Sequence, residues 1–227
     1  MKQIHVKDII DTIERLCIQA CIALGDDWWQ AMENAVSLEE SPLGKDLLGI
    51  IRENAGLAAS TGEPICQDTG LAVVFLEIGQ EVSITGGSLY DAINEGVRRG
   101  YINGYLRKSV VSDPLIRENT GDNTPAIIHT QIVPGSDLRI TVAPKGAGSE
   151  NSSGLKMLKP ADGEEGVIRF VMEVVEAAGP NACPPIVVGV GVGGNLEKSA
   201  LLAKRSLLRP LGERHPKPHI AKLEEEL

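Results

Sequence analysis

Between Val6 and Leu24 apolar residues return every three to four positions, at Val6, Ile9, Ile10, Ile13, Leu16, Cys17, Ala20, Cys21 and Leu24. That spacing commits the segment to a helix with one buried face, and Gly25 is the expected stop. A second helical stretch covers Asp27 to Glu40. A third opens at Ser41-Pro42, where serine caps and proline suits the first helical position, and runs to about Ala59 before Thr61-Gly62-Glu63-Pro64 ends it. Residues 1–62 therefore read as a helical N-terminal segment.

Downstream the period changes. Leu71 to Ile78 is an apolar run of strand type, Ser88 to Arg107 is helical, and Ile127 to Val133 is expected to pair with Leu138 to Ala143 as a hairpin across Pro134-Gly135-Ser136-Asp137. A glycine- and serine-rich loop, Lys145 to Gly154, precedes a helix near Gly163 to Ala178, a buried strand Pro185 to Val192 and a helix from Asn195 to about Leu208. The fold class is α/β, with α+β as the variant: helices first, then a mixed sheet with packed helices over 63–210. Residues 211–227, with His215-Pro216-Lys217-Pro218-His219, read as a linker into a helix that breaks off.

A chain of 227 residues buries a sizeable core without disulfide or metal staples. Its formal charge of −9 excludes a general nucleic-acid binder. No apolar run approaches the roughly 18 residues of a membrane helix. The start, Met1-Lys2-Gln3-Ile4-His5-Val6-Lys7-Asp8, carries charge where a signal peptide needs apolar residues, so a cytoplasmic protein is expected. The four cysteines, Cys17, Cys21, Cys66 and Cys183, are then reduced thiols or metal ligands.

Cys17 and Cys21 sit on the apolar helix face and read as packing residues. Gly189-Val190-Gly191-Val192-Gly193-Gly194 satisfies G-x-G-x-x-G, but the second strand ending in an acidic residue about twenty positions on is missing, which leaves close backbone packing or a loop near a ligand. Ser153-Gly154-Leu155-Lys156 lacks the companion motifs of the S-x-x-K hydrolases. Of the histidines, His5, His129, His215 and His219, only the last two are close in sequence, and His129 falls in a strand.

Two loops carry chemistry. Cys66-Gln67-Asp68-Thr69-Gly70 sets a thiol, an amide and a carboxylate side by side between a helix and a strand, where a scaffold can hold reactive groups. Asn181-Ala182-Cys183-Pro184-Pro185 presents another cysteine in a loop stiffened by two prolines. Soft thiolates select zinc, copper or iron–sulfur clusters, and two ligands alone do not complete such a site.

Taken with Glu63-Pro64-Ile65, Arg117-Glu118-Asn119-Thr120-Gly121-Asp122-Asn123-Thr124-Pro125, Lys145-Gly146-Ala147-Gly148-Ser149-Glu150-Asn151 and Arg209-Pro210-Leu211-Gly212, these loops appear in the order of the iron–sulfur hydro-lyases. The chain resembles the α subunit, or N-terminal catalytic region, of class I fumarate hydratase and its relative L(+)-tartrate dehydratase over most of its length. The resemblance implies a [4Fe–4S] cluster on three cysteines with one iron open to substrate. Cys66 and Cys183 match two of the ligands, and the third belongs to a family segment beyond Leu227, so the sequence reads as truncated. It implies Gln67 and Asp68 beside the substrate, Arg107 as a clamp on a substrate carboxylate, and the backbone at Gly146 against the bound acid. Asp68 is the implied catalytic residue, as the base or as the group orienting a base from a β subunit.

The implied reaction is reversible dehydration of (S)-malate to fumarate, a step of the tricarboxylic acid cycle, by a hetero-oligomer of α and β subunits. L(+)-tartrate dehydration is the close alternative. A nucleotide-binding module using the glycine run and a non-catalytic assembly subunit are the other readings. An acidic protein that binds a dicarboxylate must supply local positive charge, and a guanidinium does so bidentately.

Overall fold

His5 ends the first strand and caps the first helix at once: its Nδ1 accepts the Lys7 N–H at 3.1 Å. A computed structural model describes residues Met1–Leu227, which divide into two compact units, Met1–Ala147 and Gly148–Leu227.

In the first unit, β1 (Lys2–His5) leads into α1 (Val6–Ile22), α2 (Asp26–Leu38) and α3 (Pro42–Thr61), followed by β2 (Leu71–Gly79), β3 (Val82–Thr85), α4 (Leu89–Asn103), β4 (Ile127–Val133) and β5 (Leu138–Lys145). α1 buries Val6, Ile9, Ile13, Cys17 and Cys21, the face its periodicity predicts. It stops at Ala23 rather than Gly25, and Gly25 serves instead as the N-cap of α2. α3 follows its punctuation closely: Ser41 Oγ accepts the Gly44 N–H, Pro42 occupies the first turn and Gly62 closes the helix at φ +75°.

α1 crosses α4 at close range because α4 presents glycine there. A Cβ on Gly96 would lie 2.8 Å from Ile13 Cβ, and one on Gly100 would lie 2.7 Å from Cys17 Cβ. The two helices bury Ile13, Cys17, Ile93, Val97 and Tyr101 together with Ala72, Val74 and Leu76 on one face of β2. Each fully buried aliphatic side chain contributes about 1.5–3 kcal/mol.

The sheet order is β4-β2-β5, with β2 parallel to β4 and antiparallel to β5. The expected β4–β5 hairpin is therefore absent, because β2 lies between its two arms. Val73, Val74, Phe75 and Leu76 are all at most 5% exposed, so β2 is buried on both faces and belongs in the centre. The link Pro134–Asp137 passes over the end of β2 and is bonded there by Gly79 N–H to Asp137 O (2.8 Å), Gln80 N–H to Val133 O (2.9 Å) and Glu81 N–H to Gly135 O (3.0 Å). Four extended residues reach roughly 13 Å, enough to cross two strand spacings of about 4.8 Å. The parallel pair β1–β3 is an addition that its short, half-polar strands did not announce.

The second unit contains a short helix, α5 (Ala147–Asn151), which begins one residue before it, then α6 (Gly163–Ala178), α7 (Leu196–Ser206) and α8 (Pro218–Glu226). α6 and α7 occupy the predicted stretches, and Asn195 Oδ1 caps α7 through the Lys198 N–H at 2.8 Å. Pro185–Val192 is not a buried strand. The second unit holds no strand to pair with it, Pro184 and Pro185 offer no N–H, and Val187 and Val188 are 57% and 48% exposed. The run lies instead along α7, where a Cβ on Gly191 would meet Ser199 O at 2.1 Å and one on Gly189 would meet Ala203 O at 2.4 Å. That is the close-packing explanation of the glycine pattern, without the strand a dinucleotide fold requires. The tail is tied to α8 by Arg209 Nη1 to Glu224 Oε1 (2.5 Å) and by the His215 N–H to Glu224 Oε2 (2.8 Å).

Candidate active site

The loop from Gly62 to Gly70 leaves α3 through a left-handed glycine and is pinned on both sides of Ile65. The Ile65 N–H donates to Cys21 O (2.9 Å) and Asn54 Nδ2 donates to Ile65 O (2.9 Å). The next two residues, Cys66 and Gln67, are exposed. The Cys66 thiol donates to Gln67 Oε1 and the Asp68 N–H donates to Cys66 Sγ, each at 3.4 Å.

Asp68 is half-buried and has both carboxylate oxygens engaged. Oδ1 accepts the Gly70 N–H at 3.1 Å and Oδ2 accepts the Ala147 N–H at 3.2 Å. Between them lies Gly146, where an added Cβ would stand 3.2 Å from Asp68 Oδ2. Gly70 has φ +63°, and a Cβ there would be 2.2 Å from Lys145 O, so the loop lies against the end of β5 at a distance only glycine permits.

Arg107 joins this arrangement through its backbone. Thr69 Oγ1 donates to Arg107 O at 3.1 Å, and the buried Leu106 donates its N–H to Tyr101 O at 3.0 Å, which anchors the residue before it. The Arg107 side chain is exposed. Gln67, Asp68, Gly146 and Arg107 thus stand on neighbouring segments of the first unit.

Two residues that the sequence reading did not single out hold the loop from beneath. Tyr101 is buried, and its hydroxyl donates to Thr69 O (2.9 Å) and Gly70 O (3.3 Å). Burial, reinforced by Cys21, Cys17 and Asp68, pushes its phenol pKa upward. Asn123, also buried, donates from Nδ2 to Gly70 O at 3.1 Å. Tyr101 announced itself only as a lone aromatic on the apolar face of α4, and Asn123 only by its place in the Arg117–Pro125 motif.

The four thiols separate by environment. Cys17 and Cys21 are buried, and burial pushes both from 9.0 up to about 12, with the Cys17 proton also held by the proximity of Cys21. Cys66 and Cys183 are exposed. Cys183 belongs to the second unit, at φ +58° after the short turn Gly179–Ala182, with its N–H bonded to Pro180 O at 3.1 Å. No group of three or more His, Cys, Asp or Glu side chains is arranged to hold a metal ion. The chain therefore offers two exposed thiols whose chemistry fits cluster ligation, not a complete ligand set. His129 stacks on Phe75 with ring centroids 5.1 Å apart, and His5 and His215 each accept a nearby backbone N–H, so these three have structural roles.

A family model described as fumarate hydratase (Fumerase) matches residues 10–227. The chain is 44% identical over 225 residues to the putative L(+)-tartrate dehydratase subunit alpha of Methanocaldococcus jannaschii, covering 96% of this chain and 79% of that one. It is 31% identical over 226 residues to the L(+)-tartrate dehydratase subunit alpha of Escherichia coli O157:H7, covering 98% of this chain and 74% of that one.

Proposed function

The chain belongs to the fumarate hydratase family, and from that premise we propose that it is the α subunit of an iron–sulfur hydro-lyase acting on a 2-hydroxydicarboxylate. The observation that carries the reading is the Asp68 carboxylate, fixed by the Gly70 and Ala147 N–H groups beside the side-chain-free Gly146. Malate is the first substrate we assign. L(+)-tartrate is the second reading, favoured by the names of the two relatives above.

The reaction removes a proton from the carbon beside one carboxylate and hydroxide from the adjacent carbon, giving water and a carbon–carbon double bond. In this reading Arg107 grips one substrate carboxylate with its planar guanidinium, which matches two carboxylate oxygens at once. Gln67 offers an amide donor, and Gly146 leaves its backbone open to the acid without a side chain in the way. Asp68 has both oxygens occupied by N–H donors, so its assigned role is to orient a base contributed by a β subunit rather than to travel to the proton itself. Cys66 and Cys183 are assigned as cluster ligands. A bound [4Fe–4S] cluster supplies a Lewis-acidic iron that eases departure of the hydroxyl oxygen.

The partner is a β subunit, since both relatives are named as alpha subunits. A cytoplasmic location is part of the same proposal; no helix is long and apolar enough to cross a membrane. Steady-state assays of the chain combined with its β partner under strict exclusion of oxygen test it. Dehydration of malate, of tartrate or of both is expected, and failure on both overturns the reading. Iron and sulfide analysis tests the ligands: Cys66→Ser should lose cluster content, and full content in that variant removes Cys66 from the ligand set.

A further inference from the structure

Asn123 is 0% exposed, and it takes the left-handed backbone conformation, φ +63°, that non-glycine residues rarely adopt. Its amide is nonetheless well satisfied. Oδ1 accepts the N–H groups of Ser109 (2.6 Å) and Val110 (3.1 Å), while Nδ2 donates to Gly70 O (3.1 Å). A buried amide held on both ends is a stiff connector, because breaking either end leaves polar atoms without water or partner.

The placement of the two ends matters more than their number. Gly70 lies two residues after Asp68, and Ser109 lies two residues after Arg107. One planar amide therefore spans from the loop carrying the carboxylate to the segment carrying the guanidinium, with the Thr69 to Arg107 bond as a second link between the same segments. Ser109 Oγ is buried without a partner, so this stretch is held through its backbone by Asn123 and not by its own hydroxyl. The bridging residue is itself anchored. Its neighbour Thr124 donates its N–H to Asp122 Oδ1 (3.0 Å), and Ala126 donates its N–H to Asn94 Oδ1 (2.8 Å) on α4.

We propose that Asn123 is a positioning residue that sets the Gln67–Asp68 loop in register with Arg107, so that both address the same dicarboxylate. This rests on the hydro-lyase reading above. A displacement of about 1 Å between groups that must act together costs roughly 100-fold in rate.

The test uses the full chain with its β partner. Asn123→Gly removes the side chain while keeping a residue content with positive φ, so the backbone is not strained by the change. Expected are an unchanged circular dichroism spectrum, a fall in kcat/KM of roughly 30- to 100-fold with both lower kcat and higher KM, and faster amide exchange at Ser109 and Val110, whose N–H groups lose their acceptor. Activity within twofold of the unsubstituted protein overturns the proposal.

If the unsubstituted protein dehydrates neither malate nor tartrate, the hydro-lyase reading fails by itself, and exchange then judges the brace: undiminished protection at Ser109 and Val110 in Asn123→Gly overturns it. Should Asn123→Gly not fold, Asn123→Asp keeps the acceptor and loses the donor. Protection is then expected to persist at Ser109 and Val110, with kcat reduced more than KM is raised because the Gly70 carbonyl loses its amide donor. Loss of protection at Ser109 and Val110, or an unchanged kcat, contradicts the two-ended role.

Discussion

The carboxylate of Asp68 and the backbone N–H of Ala147 meet at 3.2 Å, which fastens a side chain from the loop before β2 to the chain just after β5. Gly146 lies beside that bond, and an alanine there would bring its Cβ to 3.2 Å from Oδ2 and 3.6 Å from Cγ of Asp68. The carboxylate must then give way by a few tenths of an ångström. Gly146→Ala should leave stability within about 1 kcal/mol, as for a half-exposed site with a yielding neighbour, and lower kcat/KM about tenfold or more by misplacing Asp68. Urea unfolding and steady-state kinetics on malate and tartrate measure the two effects, and a variant with unaltered kcat/KM would show that this contact does not matter to turnover.

Tyr101→Phe removes one hydroxyl and leaves the buried Thr69 carbonyl without its 2.9 Å donor, whereas Gly70 O keeps Asn123. The expected cost is about 1–3 kcal/mol, the price of an unsatisfied buried acceptor. It should appear as a lower urea midpoint with the same m-value. A midpoint equal to that of the unsubstituted chain would mean that the hydroxyl bonds add nothing to the loop.

Local chemistry was legible in the sequence. Ser41, Pro42 and Gly62 bracket α3 because caps and proline act within one turn, and the apolar spacing in α1 separates the buried pair Cys17 and Cys21 from the exposed Cys66 and Cys183. Pairing was not legible. The apolar residues of 127–133 and 138–143 mark two strands, but not that β2 enters between them. The apolar run Pro185–Val192 reads as a buried strand, yet hydrophobicity alone provides no partner for its N–H and C=O groups, and it lies in the open against α7. In the site, Cys66 to Gly70 stood out as consecutive reactive groups. The brace beneath them joins Asn123 to Gly70 across 53 positions and Tyr101 to Thr69 across 32, separations at which no periodic pattern survives.

The thiols give a pH dependence with a definite sign. Folded Cys17 and Cys21 hold their protons to about 12, whereas unfolded thiols release theirs near 9.0. Over that window the unfolded state binds fewer protons than the folded one, so stability present below pH 9.0 is lost as pH rises toward 12, by up to about 1.4 kcal/mol per pH unit for each thiol. Cys17→Ala/Cys21→Ala should be less stable at neutral pH and should show a shallower decline above pH 9.0 in urea titrations at stepped pH. The same burial predicts that iodoacetamide labels Cys66 and Cys183 in the native chain and reaches the other two only after unfolding. Parallel pH slopes, or early labelling of Cys17, would contradict the buried assignment.

Gly191 and Gly193 separate steric need from conformational need within one short run. At Gly191 an added Cβ would lie 2.1 Å from Ser199 O and 2.5 Å from Ala203 N, both backbone atoms of α7 that cannot rotate aside. Gly193 has φ +94° but nothing within 4 Å of its Cβ position, so alanine there meets only the cost of a left-handed conformation. Gly191→Ala should therefore loosen the 185–192 segment from α7 at a cost of roughly 2–3 kcal/mol, and Gly193→Ala should cost only about 1–2 kcal/mol. Amide exchange across α7 distinguishes them, with faster exchange expected in Gly191→Ala and unchanged exchange in Gly193→Ala. If both variants protect α7 equally, the glycine run is not there for close packing, and equilibrium binding of NAD or ATP to the chain becomes the measurement that explains it.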